Sequence, residues 1–238
     1  MSKVITIVSG KGGTGKTVVC SNLGASLALK GHSVCLVDMD RGLRNLDLYM
    51  GLESRVVYDV QDVLLGLCRI KQALIRDKRF RELYIIAAPQ YRKEDDITDL
   101  HMKVLCEKLS ERFEYIIIDS PAGTDEDFKL AVAAADEVVI VTTPEYAAVR
   151  DADAVDRILE ELGKKKRAYI INKLNADLLK TGLVPTLSDV ANMLRIELLG
   201  IIQDDENIHV AAAKGIPIVL KRDSYISRNF EQISERLI

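Results

Sequence analysis

Eight residues near the start of the chain, Gly10-Lys11-Gly12-Gly13-Thr14-Gly15-Lys16-Thr17, satisfy the pattern G-x-x-x-x-G-K-[ST]. Glycines at this spacing let successive backbone N–H groups converge on phosphate oxygens without Cβ obstruction. A helix that begins directly after them adds the positive end of its dipole. In such a loop Lys16 reaches the β- and γ-phosphates of a nucleotide, and the Thr17 hydroxyl ligates Mg²⁺. The flanks suit this chemistry. The apolar run Val4–Val8 precedes the loop, and Leu23, Leu27 and Ala28 follow it at helical spacing.

Two further carboxylate clusters belong with that loop. Tyr115-Ile116-Ile117-Ile118-Asp119 is an apolar strand ending in an acid, the form of a Walker B segment, whose Asp holds a water of the Mg²⁺ shell. It leads into Ser120-Pro121-Ala122-Gly123, a tight turn beside the γ-phosphate. Val37-Asp38-Met39-Asp40 ends another strand, and two acids there can position Mg²⁺ waters and orient an attacking water. One of the two is equally readable as a loop cap. The Asn172-Lys173 pair reads either as a turn or as an amide that contacts a base edge.

These groups need a scaffold that brings distant strand ends to one edge. Apolar, β-branched-rich runs at 4–8, 34–37, 83–88, 115–118, 138–142, 169–171 and 198–202 read as buried strands. Helical spacing separates several of them, as at Val104, Leu105 and Leu109 and at Val155, Ile158, Leu159 and Leu162. Strands alternating with helices imply right-handed βαβ units. The expected fold is a single three-layer α/β P-loop NTPase domain over residues 1–238, a mostly parallel sheet with helices on both faces.

Composition excludes several other classes. The chain has 238 residues, 33 Lys+Arg against 36 Asp+Glu, a net charge of −3 and 48% hydrophobic residues, so disorder is excluded. Near-neutral charge argues against a dedicated nucleic-acid binder. No run reaches the ~18–20 apolar residues of a membrane span, and the first apolar run is too short for a secretory signal. Cys20, Cys35, Cys68 and Cys106 are scattered, without a C-x-x-C pair, and read as reduced thiols of a cytoplasmic protein. His32, His101 and His209 form no metal-ligand spacing. At the far end, Ile226, Phe230, Ile233 and Leu237 share one helical face, which either docks on the sheet or inserts into a membrane surface.

Lys11 inside the loop makes it the deviant form K-G-G-x-G-K-T, and here the chain resembles the MinD/ParA family of deviant Walker A ATPases. Further segments carry a likeness to the MinD branch: Asp40 to Leu52 with Gly42-Leu43-Arg44-Asn45-Leu46-Asp47-Leu48, Arg55 to Asp62, Ala73 to Arg79, Ile118 to Gly123, and Thr142 to Glu145 followed by Val149 to Asp153. The resemblance implies a Mg²⁺-dependent ATPase that forms a face-to-face homodimer around ATP. In that picture Lys11 reaches the partner's phosphates, Lys16 contacts its own, and Asp40 orients the attacking water. Thr17, Asp38 and Asp119 organise Mg²⁺. Residues Lys11 through Val18 cradle the nucleotide (Lys11, Gly12, Gly13, Thr14, Gly15, Lys16, Thr17, Val18), and Asn172 contacts adenine. Arg44, Asn45, Arg150, Asp151 and Asp153 form the partner surface.

The implied biology is placement of the division septum. The ATP dimer recruits a MinC-like inhibitor, a MinE-like protein triggers hydrolysis, and the protein cycles between cytoplasm and the inner membrane face. No specific nucleic acid is expected. The chain differs from the pattern in having Val18-Val19-Cys20 after the loop and Gln203 before Asp204-Asp205. It also ends at Ile238, before the position of the family's basic amphipathic anchor, so anchoring by that device is not expected. Two other readings share the fold. One is a ParA-like partition or flagellar-number-regulating ATPase, for which the basic stretch Arg69 to Arg81 would meet DNA phosphates rather than form a solvated helix face. The other is a small-molecule enzyme of the dethiobiotin synthetase type.

Overall fold

The computed structural model describes residues 2–91, 96–221 and 223–238. Eight strands form one sheet in the order β3-β4-β2-β5-β1-β6-β7-β8. In chain order they are Lys3–Val8, Val34–Asp38, Ile75–Arg76, Leu83–Ile86, Tyr115–Asp119, Glu137–Thr142, Arg167–Leu174 and Glu197–Gln203. Every neighbouring pair is parallel except β3–β4. Each long apolar run of the sequence contains a strand; β1, β2, β5 and β6 are buried on both faces, whereas the edge strand β8 is partly exposed. The two-residue β3 escapes pattern reading because it is too short to show a period.

Among the described residues the helices are α1 (Lys16–Leu29), α2 (Leu46–Tyr49), α3 (Val60–Leu64), α4 (Ile70–Ala73), α5 (Asp99–Ser110), α6 (Glu126–Val132), α7 (Tyr146–Glu161), α8 (Ala176–Thr181), α9 (Leu187–Leu194), α10 (Glu206–Ala213) and α11 (Tyr225–Arg236). The first connection runs from β1 past β5 to β2, whereas β6 lies on the other side of β1. That reversal opens a crevice at the carboxyl ends of the central strands, and the phosphate loop stands in it.

Helices cover both faces of the sheet. On one, α1 and α11 pack over Ile5, Ile7, Leu36 and Ile117; on the other, Met102, Leu105 and Leu109 of α5 cover Val37, Ile116 and Ile118. The contact over α1 is close. A Cβ on Gly24 would stand 2.3 Å from Leu36 Cδ2, so only glycine lets α1 approach β2 this nearly.

The terminal helix docks on the sheet and does not present a membrane face. Ile226, Phe230, Ile233 and Leu237 are all at most 1% exposed, and Ser234 Oγ lies 3.0 Å from Ser26 Oγ of α1. The same helix blunts the β8 edge. Arg236 Nη1 donates to the carbonyls of Leu198 and Leu199, and Asn229 Nδ2 donates to that of Ile201. Carbonyls so occupied cannot template a foreign strand. No helix among the described residues is long and apolar enough to cross a membrane.

The basic stretch Arg69 to Arg81 is not a helix face. It comprises α4, β3 and a tight turn, because Asp77 organises the chain there. Arg79 closes a fork on both Asp77 oxygens and also donates to the carbonyls of Met50 and Gly215. One of its six cations is thus committed to holding the ends of α2 and α10 together. Cys20, Cys35 and Cys106 are buried and all four cysteines are free.

Truncation of Phe230 to alanine tests how much the α11 contact contributes. Loss of a fully buried ring costs about 3–5 kcal/mol. Urea unfolding of Phe230→Ala is expected to show a midpoint lowered accordingly with an unchanged slope.

Candidate functional site

The phosphate loop spans the gap between the end of β1 and the start of α1, and its shape depends on two left-handed glycines. Gly13 has φ +82° and Gly15 φ +87°, a region costly for any residue with a Cβ. The loop is also gripped from outside. Asn172 Nδ2, at the end of β7, donates to the Thr14 carbonyl at 2.7 Å, and Lys173 Nζ donates to the Gly13 carbonyl at 2.8 Å. A Cβ on Gly15 would lie 2.3 Å from that Asn172 nitrogen, and one on Gly10 would lie 2.6 Å from the Asp151 carbonyl. The motif glycines thus admit neighbours as well as bending the chain.

With the carbonyls turned outward to these donors, the N–H groups at the head of α1 face the crevice. No side chain caps that helix start, and its first turn holds no acid. This is a site for an anion. It opens on a cleft of about 1120 Å³ whose wall includes Gly12, Thr17, Val18, Asp40, Asn172 and Asp204.

The charged centre lies at the floor. Lys16 is 7% exposed and its Nζ stands 3.1 Å from Asp119 Oδ1. Burial works against this ammonium, but Asp119, with help from Asp40 and Asp38, outweighs it and raises the lysine's pKa above its ordinary value. Asp38 and Asp119 are register neighbours on β2 and β5, so both carboxylates project from one sheet edge. Burial, and then the Asp119 charge, push Asp38 well above the usual carboxylate range. Asp40, only part-buried, is also raised, by burial and then by nearby Asp119, Asp127 and Asp125 against the pull of Lys16.

Three acids thus crowd one buried cation, and a divalent metal would favour the charged forms that burial and mutual repulsion disfavour in Asp38 and Asp40. A second observation agrees: among the described residues Asp119 Oδ2 is buried without a hydrogen-bond partner, an acceptor that a metal-bound water could satisfy. Thr17 lines the same cleft. Asp38 stands differently. Its Oδ1 accepts from Asp40 N–H, and its Oδ2 accepts from the N–H groups of Asn45 and Leu46. It therefore also shapes the turn that carries Asp40. Thr17, Asp38 and Asp119 would hold Mg²⁺, and the ion would supply positive charge against a bound phosphate.

The two loop lysines occupy opposite environments. Lys16 is buried, whereas Lys11 is 48% exposed and meets Glu145 at 3.5 Å, a loose surface pair of little energetic worth. Lys11 is free to project from the rim. Of the expected partner surface, Arg150 is exposed and Asp153 pairs with Arg157 at 2.6 Å, while Arg44 is held by Asp47 at 2.7 Å. Sequence reasoning missed Lys173 as a loop-holding group and Arg41 as a cleft residue. The single local sign at Lys173 is its φ of +56°, visible only in three dimensions.

Comparison with known proteins identifies the family. The CobQ/CobB/MinD/ParA nucleotide binding domain matches residues 5–218. The septum site-determining protein MinD of Thermotoga maritima is 43% identical, over 100% of this chain and 88% of its own. Among solved structures, the MinC:MinD cell division protein complex of Aquifex aeolicus aligns at a TM-score of 0.92 with 37% identity, covering 99% of this chain and 96% of that one. Pyrococcus horikoshii MinD, complexed with Mg-ADP, aligns at 0.88 with 28% identity, covering 100% and 96%. With the loop, carboxylates and full-length likeness together, this chain belongs to the MinD family of nucleotide-binding proteins.

Proposed function

We propose that this chain is a Mg²⁺-dependent ATPase switch that helps place the division septum, and that ATP joins two copies of it. The division of labour between two lysines of one loop carries the reading. Lys16, buried against Asp119, is placed for the β- and γ-phosphates of its own nucleotide. Lys11, exposed at the rim, is placed to cross to the phosphates bound by a second copy. A cation supplied in trans makes hydrolysis conditional on assembly, as an arginine finger does for a GTPase.

Within each subunit the backbone N–H groups of Gly12 to Val18 hold the phosphates, and Thr17, Asp38 and Asp119 would hold Mg²⁺, which would offset phosphate charge. Asp40 accepts a hydrogen bond from the attacking water and orients it on the γ-phosphate. Asn172, already tied to Thr14 by its NH₂, offers its carbonyl oxygen to the exocyclic amine of adenine. In the ATP state the exposed surface beside the loop, with Arg44, Asn45, Arg150, Asp151 and Asp153, takes a MinC-like inhibitor; a MinE-like protein speeds hydrolysis and release. The protein works in the cytoplasm and contacts the inner membrane face peripherally while in the ATP state. Pelleting with anionic liposomes in ATP but not in ADP tests that last step.

Lys11→Ala is expected to stay folded and bind nucleotide yet form no ATP-dependent dimer. Light scattering in ATP and ADP reads this, and an unaltered dimer would sink the trans role. Asp40→Ala is expected to retain ATP binding and the dimer while losing about 10²–10⁴-fold in hydrolysis rate. Chelation of Mg²⁺ by EDTA should abolish phosphate release and weaken ATP binding, with recovery on adding back excess Mg²⁺.

A further inference from the structure

Asp40 stands at the crest of a tight turn. Its backbone N–H donates to Asp38 Oδ1 at 3.0 Å, Arg41 N–H donates to the Met39 carbonyl at 2.9 Å, and Leu43 N–H to the Asp40 carbonyl at 3.1 Å. The flanks are tied to the sheet: Met39 N–H donates to the Asp119 carbonyl at 2.8 Å and Gly42 N–H to that of Pro89 at 3.2 Å. Among the described residues, no donor holds the Asp40 carboxylate itself. Its position is therefore inherited from the backbone on either side.

The side chain that follows it is different. Arg41 turns inward, its side chain 3% exposed, and its Nη2 donates to Asp127 Oδ1 of α6, whose side chain is 9% exposed. Asp127 sits in the first turn of α6, capped by Asp125 through a hydrogen bond from Phe128 N–H at 3.1 Å. That helix begins a few residues beyond Asp119 and the Pro121–Gly123 turn. The pair also belongs to the wall between two spaces. Arg41 and Asp127 line the nucleotide cleft and, on the other side, a cavity of about 680 Å³ reached between α5 and α6. A buried ion pair of this kind is poor value as a stabiliser, since desolvation offsets its attraction. It is good at fixing geometry, because a planar guanidinium accepts few orientations.

We propose that Arg41 is a positioning residue for hydrolysis: paired with Asp127, it ties the turn carrying Asp40 to helix α6, the segment that follows Asp119. The inference rests on the reading of Asp40 as the group that orients water. Movement of the post-Asp119 segment on nucleotide exchange is then transmitted to Asp40 through one rigid side chain. Misplacement of a reacting group by about 1 Å costs on the order of 100-fold in rate.

The test compares wild type, Arg41→Leu, Arg41→Lys, the double variant Arg41→Leu/Asp127→Leu, and Asp40→Ala. Single-turnover ATP hydrolysis, ATP affinity and melting temperature are measured for each. Arg41→Leu leaves Asp127 buried without this partner and is expected to melt early. The double variant removes both charges and is expected to regain melting temperature. Its ATP affinity should stay within about threefold of wild type, while its hydrolysis rate stays down by roughly 30–100-fold. Arg41→Lys, which keeps the charge but not the fork, is expected to recover only part of the rate. A double variant that hydrolyses ATP at the wild-type rate while Asp40→Ala does not would overturn the tie alone. An Asp40→Ala variant at full rate would overturn the water-orienting reading and this inference with it.

Discussion

The Lys16–Asp119 pair is the interaction around which the rest is arranged. A lysine 7% exposed, 3.1 Å from a carboxylate, is tolerated inside a protein only when its surroundings compensate it. Here Asp119 does so directly, and Asp38 and Asp40 crowd the same sheet edge, each held above its ordinary pKa by burial and its acidic neighbours. Such a centre contributes little to stability, because desolvating these ions costs about as much as their attraction returns. Its merit is electrostatic readiness: a low-dielectric floor with one cation for phosphate and a surplus of acids for Mg²⁺. The strand order follows from this need. Parallel pairing brings these strand ends to one edge, and the order, with β5 between β1 and β2, sets the loop, Asp38 and Asp119 side by side there.

Stability is supplied elsewhere, by material that never touches the nucleotide cleft. Ile5, Ile7, Ile117 and Leu36 under α1 and α11 form one apolar layer, and Val37, Ile116 and Ile118 under α5 form the other. Gly24 and Gly200 let helices close on the sheet, where a Cβ would meet Leu36 or Ile233 at 2.3 and 2.4 Å. This separation leaves the site loops free to be polar and strained. The backbone of Lys173, at φ +56°, is one such place, and its ammonium holds the Gly13 carbonyl.

Between the apolar layers and the polar cleft lie a few long-reaching side chains. Arg79 draws the ends of α2 and α10 together over the Gly51–Gly215 contact. Arg41 joins the turn after β2 to α6. Both are arginines, and both bridge segments that line the cleft. Planar, multiply donating groups suit that work better than a lysine would. Lys11 is the contrasting case, a flexible cation left exposed where reach outward matters more than fixed geometry.

Much of this was legible in the residues themselves. The loop motif, the acid-ended strands and the apolar runs are local patterns, because glycine conformation, strand burial and helix spacing act over a few neighbouring residues. The site's main groups could therefore be named before any contact was known. Non-local pairings could not. Arg41 and Asp127 lie 86 positions apart, and nothing in either neighbourhood marks the other. The basic stretch at Arg69–Arg81 looked like one helix face until Asp77 and the antiparallel β3 bent it. The last helix is the clearest division between the two levels. Its spacing determined that Ile226, Phe230, Ile233 and Leu237 must be buried together, since water rejects an apolar stripe whatever lies opposite. Only the tertiary structure decided that α1 and the sheet, and not a lipid surface, lie opposite it, because that choice depends on which apolar surface the rest of the chain brings within reach.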